Sequence, residues 1–129
     1  MEEQKTQVVV LNKNDVKKFV DIDNEIIFNF DKKMEWGLLT VYAPWCGYCQ
    51  EFEPDLDFLS KELKKYNIHF FKINGDDDDN RDLVDLLNIR GYPSLYELTK
   101  TNVEGQYRIK SWDKERSVKY ILTYLSSEN

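Results

Sequence analysis

Cysteine and histidine are both scarce in this chain: Cys46, Cys49 and His69 are all that its 129 residues contain. Zinc normally takes four ligands, so two thiols and a distant imidazole make a poor set, and no metal is expected. The thiols are no structural staple either, because a loop closed across two residues constrains little of the unfolded chain. Long apolar runs are missing; the strongly apolar stretches are about strand length, so no membrane segment is expected. No Lys/Arg-rich stripe is present, and the net charge is −6 with a pI near 4.8, so no nucleic-acid partner is expected. The acidic run Asp76–Asp79 lacks the EF-hand pattern and reads as the solvated start of a helix. His69 falls on an apolar strand, Ile68–Ile73, with no partner cluster, which favours a strand-end role over catalysis.

What is present fits one globular domain: 41% hydrophobic and 14% aromatic residues, enough for a single well-filled core with an exposed patch. Residues 7–125 are expected to form that domain. Residues 1–6 are expected as an added or flexible start and 126–129 as a flexible tail. The first six residues are charged and unlike a signal peptide, which fits a cytosolic protein or a mature or excised domain.

The chain is organised around Tyr42-Ala43-Pro44-Trp45-Cys46-Gly47-Tyr48-Cys49. The strand-like run Leu38–Tyr42 precedes it, and a helical pattern follows, with Phe52, Leu56, Leu59 and Leu63 on one face. The cysteines therefore sit where a strand hands over to a helix. Unpaired N–H groups and the partial positive charge of a first helical turn favour a thiolate over a thiol. A thiolate attacks disulfides, and a second cysteine one turn on can displace the first from a mixed disulfide. Cys46 is read as the nucleophile and Cys49 as the resolving thiol of a redox pair that needs no other cofactor.

Ala43–Cys49 resembles the active-site segment of thioredoxin-fold domains of the protein disulfide isomerase type, whose usual form is APWCGHC. The resemblance covers roughly residues 7–125. It implies an α/β architecture, a thioredoxin fold with a central mixed β-sheet flanked by helices. Pro54, five residues after Cys49, matches a proline of the fold; the other reading starts a separate helix there. Ile89–Leu95, with Arg90-Gly91-Tyr92-Pro93-Ser94, resembles the RGYPT segment, whose proline follows a cis bond and faces the disulfide. The resemblance implies that Pro44, Trp45 and Tyr92 form an apolar rim, and that Tyr92–Pro93 offers a backbone edge to an extended substrate. The last helix, about Asp113 to Leu125, carries Arg116, placed where an arginine of the family approaches the resolving cysteine; the alternative is an ordinary surface arginine on a solvent-facing helix.

The match fails over residues 21–36. Val8–Leu11 reads as a strand, with Val16, Phe19 and Val20 as a short helix after it. Ile26, Ile27, Phe30 and Met34 then read as a helical insertion. A second reading makes Lys18–Ile22 the first core strand and Asn24–Met34 the first helix, with Val8–Leu11 as an added edge strand. Gln106–Ile109 is expected as an edge strand.

Between the cysteines, Gly47 and Tyr48 stand where the family carries Gly-His. Thr40 replaces a buried acid six residues before the first cysteine, while Lys72 keeps the position of its partner cation. Loss of the histidine and the acid implies a less acidic Cys46 and slower resolution. The resemblance implies a protein disulfide isomerase-type oxidoreductase acting on unfolded or disulfide-containing proteins, in the endoplasmic reticulum lumen. It implies a monomeric domain, either alone or as part of a larger multidomain protein. Alternatives are a cytosolic disulfide reductase, or a peptide-binding chaperone module with minor redox activity.

Overall fold

The computed structural model describes residues 6–16, 19–22 and 25–127. Within them the chain forms β1 (Val9–Leu11), β2 (Phe19–Ile22), β3 (Glu25–Asn29), β4 (Trp36–Tyr42), α1 (Gly47–Glu62), β5 (Ile68–Asn74), α2 (Arg81–Leu87), β6 (Ser94–Lys100), β7 (Gln106–Ser111) and α3 (Val118–Ser127). All seven strands join one mixed sheet in the order β1-β5-β4-β6-β7-β3-β2. β1 and β4 flank β5 in parallel, and the remaining pairs are antiparallel.

Alternation along β4 and β5 divides the core into two layers. Leu38 and Phe70 pack beneath α1 and α3, against Phe52, Leu56, Leu59 and Ile121. Leu39, Val41, Phe71 and Ile73 face the other way, against Leu83 and Leu87 of α2. Thr40 and Lys72 pair in register on the α1 side, where strict alternation would place two more apolar residues. They leave a polar notch beneath the start of α1.

The N-terminal third departs from the first sequence reading and agrees with the second in the strand at Phe19–Ile22, which lies at the sheet's edge and not in its centre. Phe19 and Val20 belong to strand β2, and Ile26 and Ile27 to strand β3. No helical insertion occupies the described part of 21–36; Lys17, Lys18, Asp23 and Asn24 lie outside the described residues. Ile26, Phe28 and Phe30 also satisfy a period of two, and β-branched and aromatic side chains suit a pleated surface. The tertiary context decides between the periods: β3 pairs with β7 from Ile26↔Ile109 to Asn29↔Gln106, satisfying backbone groups a helix would leave bare along β7. Consequently β7 is an interior strand rather than an edge. Beyond β3, Phe30 stacks on Phe71 at 5.2 Å, and the Tyr107 hydroxyl donates to the Lys32 carbonyl and accepts from the Met34 amide at 2.6 and 3.1 Å. Together Phe28, Phe30 and Met34 help cover the α2 side of the sheet. Asp15 closes a turn, its carboxylate accepting from the Asn12 amide at 3.0 Å.

Two further boundaries matter. Pro54 lies inside one continuous α1, so no separate helix begins there; only the hydrogen bond its N–H would have given is lost. α3 starts at Val118 rather than near Asp113 and includes Ser126 and Ser127. Arg116 therefore sits in the preceding loop. Residues 1–5 and 128–129 of the expected ends lie outside the described residues.

Candidate redox site

β4 and β5 run in parallel and finish together at Tyr42 and Asn74, so the connection into α1 is held at the carboxyl end of the central strands. Cys46 is the N-cap of α1, extended at φ −82° and ψ 117°, and its sulfur accepts from the Cys49 amide at 3.3 Å. Sulfur thus takes the place of the oxygen acceptor usual at a helix start, and the interaction strengthens when the sulfur is charged. As a thiol, Cys46 also donates to the Tyr92 carbonyl at 3.6 Å. That carbonyl leads into the Tyr92–Pro93 bond, which is cis as expected, and Pro93 is buried.

Both cysteines are free thiols with little surface exposed, and their surroundings push them apart. A hydrogen bond from the Cys49 thiol holds Cys46 below the ordinary thiol range. Desolvation works against this, while the Cys49 and Tyr48 amides and the Arg116 charge reinforce it. Cys49 moves the other way, to about 11, through burial first and then its bond to Cys46; the Ala43 backbone and Arg116 only partly oppose this. The thiols share their protons as one unit, with the negative charge favoured on Cys46. Arg116 therefore acts electrostatically on both sulfurs from its exposed loop position.

The site has an outer and an inner side. Outside, Trp45 and Tyr48 are 66% and 67% exposed, and Trp45 meets Tyr92 edge to face at 5.7 Å. With Cys46, Gly47, Ile89 and Arg90 they border an open groove of about 570 Å³. Pro44 is exposed beside them. Gly75 supports this rim from beneath, since a Cβ there would lie 2.7 Å from the Tyr92 ring.

Inside lies a small cavity of about 70 Å³, lined by Thr40, Tyr42, Ala43, Pro44, Cys49, Gln50, Glu53, Leu56 and Lys72. Lys72 Nζ stands 5.3 Å from the centre of the Tyr42 ring. Thr40 is only 2% exposed and its Oγ1 has no hydrogen-bond partner. A buried hydroxyl left unpaired costs about 1–3 kcal/mol, a cost that water in a polar cavity removes.

The structure thus gathers Thr40, Pro44, Trp45, Cys46, Gly47, Tyr48, Cys49, Lys72, Tyr92, Pro93 and Arg116 around one dithiol. His69 lies elsewhere, opposite Gly37 near the amino end of β4, with Nε2 2.7 Å from Asn67 Oδ1. Sequence reasoning missed Glu53 and Gly75; Ile89 and Arg90 lie in the segment it had singled out. Glu53 had a readable signal, because it follows Cys49 by four residues and so shares its helix face. Gly75 had none, since its proximity to Tyr92 is purely tertiary.

A dithiol capping a helix, at the carboxyl end of parallel strands in a helix-flanked mixed sheet, defines a thioredoxin-fold redox site. Comparison with known proteins agrees. A sequence model of the thioredoxin family matches residues 7–124, and the chain belongs to that family, whose members are thiol–disulfide oxidoreductases. It is 25% identical over 118 residues to a protein disulfide-isomerase of Medicago sativa, covering 89% of this chain and 22% of that protein. It is 28% identical over 122 residues to protein disulfide-isomerase 1 of Dictyostelium discoideum, covering 93% and 29%. The chain therefore spans less than a third of the length of either relative. Among solved structures, the Trx4 domain of ERdj5 superposes with a TM-score of 0.69 at 18% identity, covering 96% of each chain. Human ERp44 superposes at 0.63 and 18% identity, covering 99% of this chain and 31% of that one. Among the described residues, no helix is long and apolar enough to cross a membrane.

Proposed function

We propose that this domain catalyses thiol–disulfide exchange on cysteines of protein substrates, as a protein disulfide isomerase-type oxidoreductase. The opposed polarisation of the two free thiols carries the reading, Cys46 held low and Cys49 held near 11. Cys46 attacks a substrate disulfide as thiolate, and Cys49 then releases the substrate by displacing it from Cys46. Pro44, Trp45 and Tyr92 form the apolar rim, the Tyr92–Pro93 backbone lies along the substrate path, and Arg116 favours the anionic sulfurs. No other cofactor enters. The absence of a histidine at Tyr48 and of an acid at Thr40 biases the site towards reduction or isomerisation rather than strong oxidation. Likeness to protein disulfide-isomerases supports the endoplasmic reticulum lumen as its compartment and a larger multidomain protein as its setting; the cytoplasmic reductase is the alternative.

The test is trapping. A Cys49→Ser variant should accumulate stable mixed disulfides through Cys46 with cysteine-containing proteins, and a Cys46→Ser/Cys49→Ser variant none. No disulfide-linked adduct would refute the exchange reading. Secretory proteins among the adducts support the lumen, and cytosolic ones alone support the cytoplasm. The exposed Trp45–Tyr48 rim also favours a second reading, polypeptide binding without redox chemistry. Undiminished protection of aggregating clients by the double variant would support that one.

A further inference from the structure

Burial, the largest cause raising Cys49 and one that persists once Cys46 is bonded to substrate, keeps this thiol protonated at neutral pH, yet it must become a thiolate to displace the substrate. The ionisable groups around Cys49 come from four elements. Cys46 and Glu53 belong to the start and second turn of α1, Tyr42 to β4, Lys72 to β5, and Arg116 to the loop before α3. During resolution Cys46 is already bonded to substrate. Lysine and arginine cations offer donors and no acceptor. Tyr42 is raised by burial and by nearby Glu53 and Asp77, so its phenol keeps its own proton at neutral pH. Among the described residues lining the inner cavity, this leaves Glu53 as the one carboxylate.

Cys49 and Glu53 border the same 70 Å³ space as Thr40, whose buried Oγ1 lacks a partner. Water needs about 30 Å³ in the liquid together with two to four polar partners. Thr40, Cys49, Glu53 and Lys72 supply such partners around a space of sufficient size.

We propose that Glu53 accepts the Cys49 proton through water held in this cavity by Thr40; the proposal rests on the exchange function above. In the step, the proton passes from Cys49 through water to the Glu53 carboxylate. The Cys49 thiolate attacks Cys46 Sγ and forms the Cys46–Cys49 bond. The bond from Cys46 to the substrate sulfur breaks, and that sulfur leaves with the electron pair. The substrate disulfide is thereby reduced by two electrons and the cysteine pair oxidised by two. Glu53 is exposed, so it returns the proton to solvent. Thr40 is a positioning residue.

The experiment mixes reduced protein rapidly with a small disulfide peptide, quenches with acid, and follows both formation and decay of the mixed disulfide. Glu53→Gln should form the adduct at the wild-type rate but lose it on the order of 10²-fold more slowly at pH 7, the lower end for general acid–base catalysis. Added formate should restore the decay, and the two proteins should converge at high pH, where Cys49 ionises without a base. Thr40→Val should slow decay less. Adduct decay in Glu53→Gln at the wild-type rate overturns the proposal, and a slow decay that neither formate nor high pH relieves overturns it equally. Absence of any adduct in the wild-type protein would instead remove the exchange function itself.

Discussion

The two sides of the dithiol are built on opposite physical terms. The outer side is apolar and open: Trp45 and Tyr48 are largely exposed and Tyr92 rests over Gly75. The inner side is smaller and less open, with Thr40 and Lys72 interrupting the apolar layer beneath α1. On the proposed function a substrate meets the first side, although Pro44 borders both. The thiol that must give up a proton faces the second. Recognition and proton handling are therefore separable in space although the sulfurs sit in one turn, and substitutions on the two sides should fail differently.

Trp45→Ala gives the largest expected effect on the outer side. An exposed aromatic that anchors a partner is worth on the order of 1–2 kcal/mol, or about tenfold in affinity. KM for a disulfide-containing protein should rise about tenfold while mixed-disulfide decay keeps its wild-type rate. An equal fall in both would erase the division between the sides. Tyr48→His alters the chemistry while Trp45 and Tyr92 keep their edge-to-face contact. A cationic imidazole next to Cys46 stabilises its thiolate, which a phenol does not. Thiolate absorbance should titrate at lower pH in Tyr48→His than in wild type. A wild-type midpoint at or below that of the variant would show that the Cys49 hydrogen bond and the helix start already saturate the effect.

How much of this was readable from sequence follows the same physical divide. The dithiol, the rim and Pro93 are legible because they rest on short spacings: two cysteines one turn apart after a strand, and a proline opening another strand. Residues 26–34 read as a helix because Ile26, Phe30 and Met34 fit periods of 3.6 and 2 alike. The unpaired side of β7, some 80 residues away, selects the strand, and no local pattern carries that information. Arg116 was placed correctly near the cysteines but on the wrong element, because the first turn assigned to α3 is a loop. Thr40 was legible as a missing acid. Its consequence is not: the spacing sets Glu53 on the Cys49 face of α1, but only the tertiary notch beneath the helix brings Thr40 to the same space.

The smallest expected effect lies in stability, and it assigns one limb of a pH curve to each cysteine. Cys46 ionises lower in the folded than in the unfolded chain. Between those two values the unfolded chain holds a proton that the folded one has lost, so stability rises with pH. This contribution is complete above the unfolded thiol value and disappears as pH falls through the folded value. Cys49 behaves oppositely, being raised to about 11. Above the unfolded thiol value the folded chain keeps a proton that the unfolded one releases, so stability falls until pH passes about 11. Urea unfolding of the reduced protein, minus that of Cys46→Ser/Cys49→Ser, should trace a dome with its maximum near the ordinary thiol value. Tyr48→His should extend the rising limb to lower pH and leave the falling limb in place, whereas Glu53→Gln should alter neither limb strongly. A flat difference curve would mean that the folded chain does not polarise the pair, and the separation of an attacking outer thiol from a proton-releasing inner one would lose its basis.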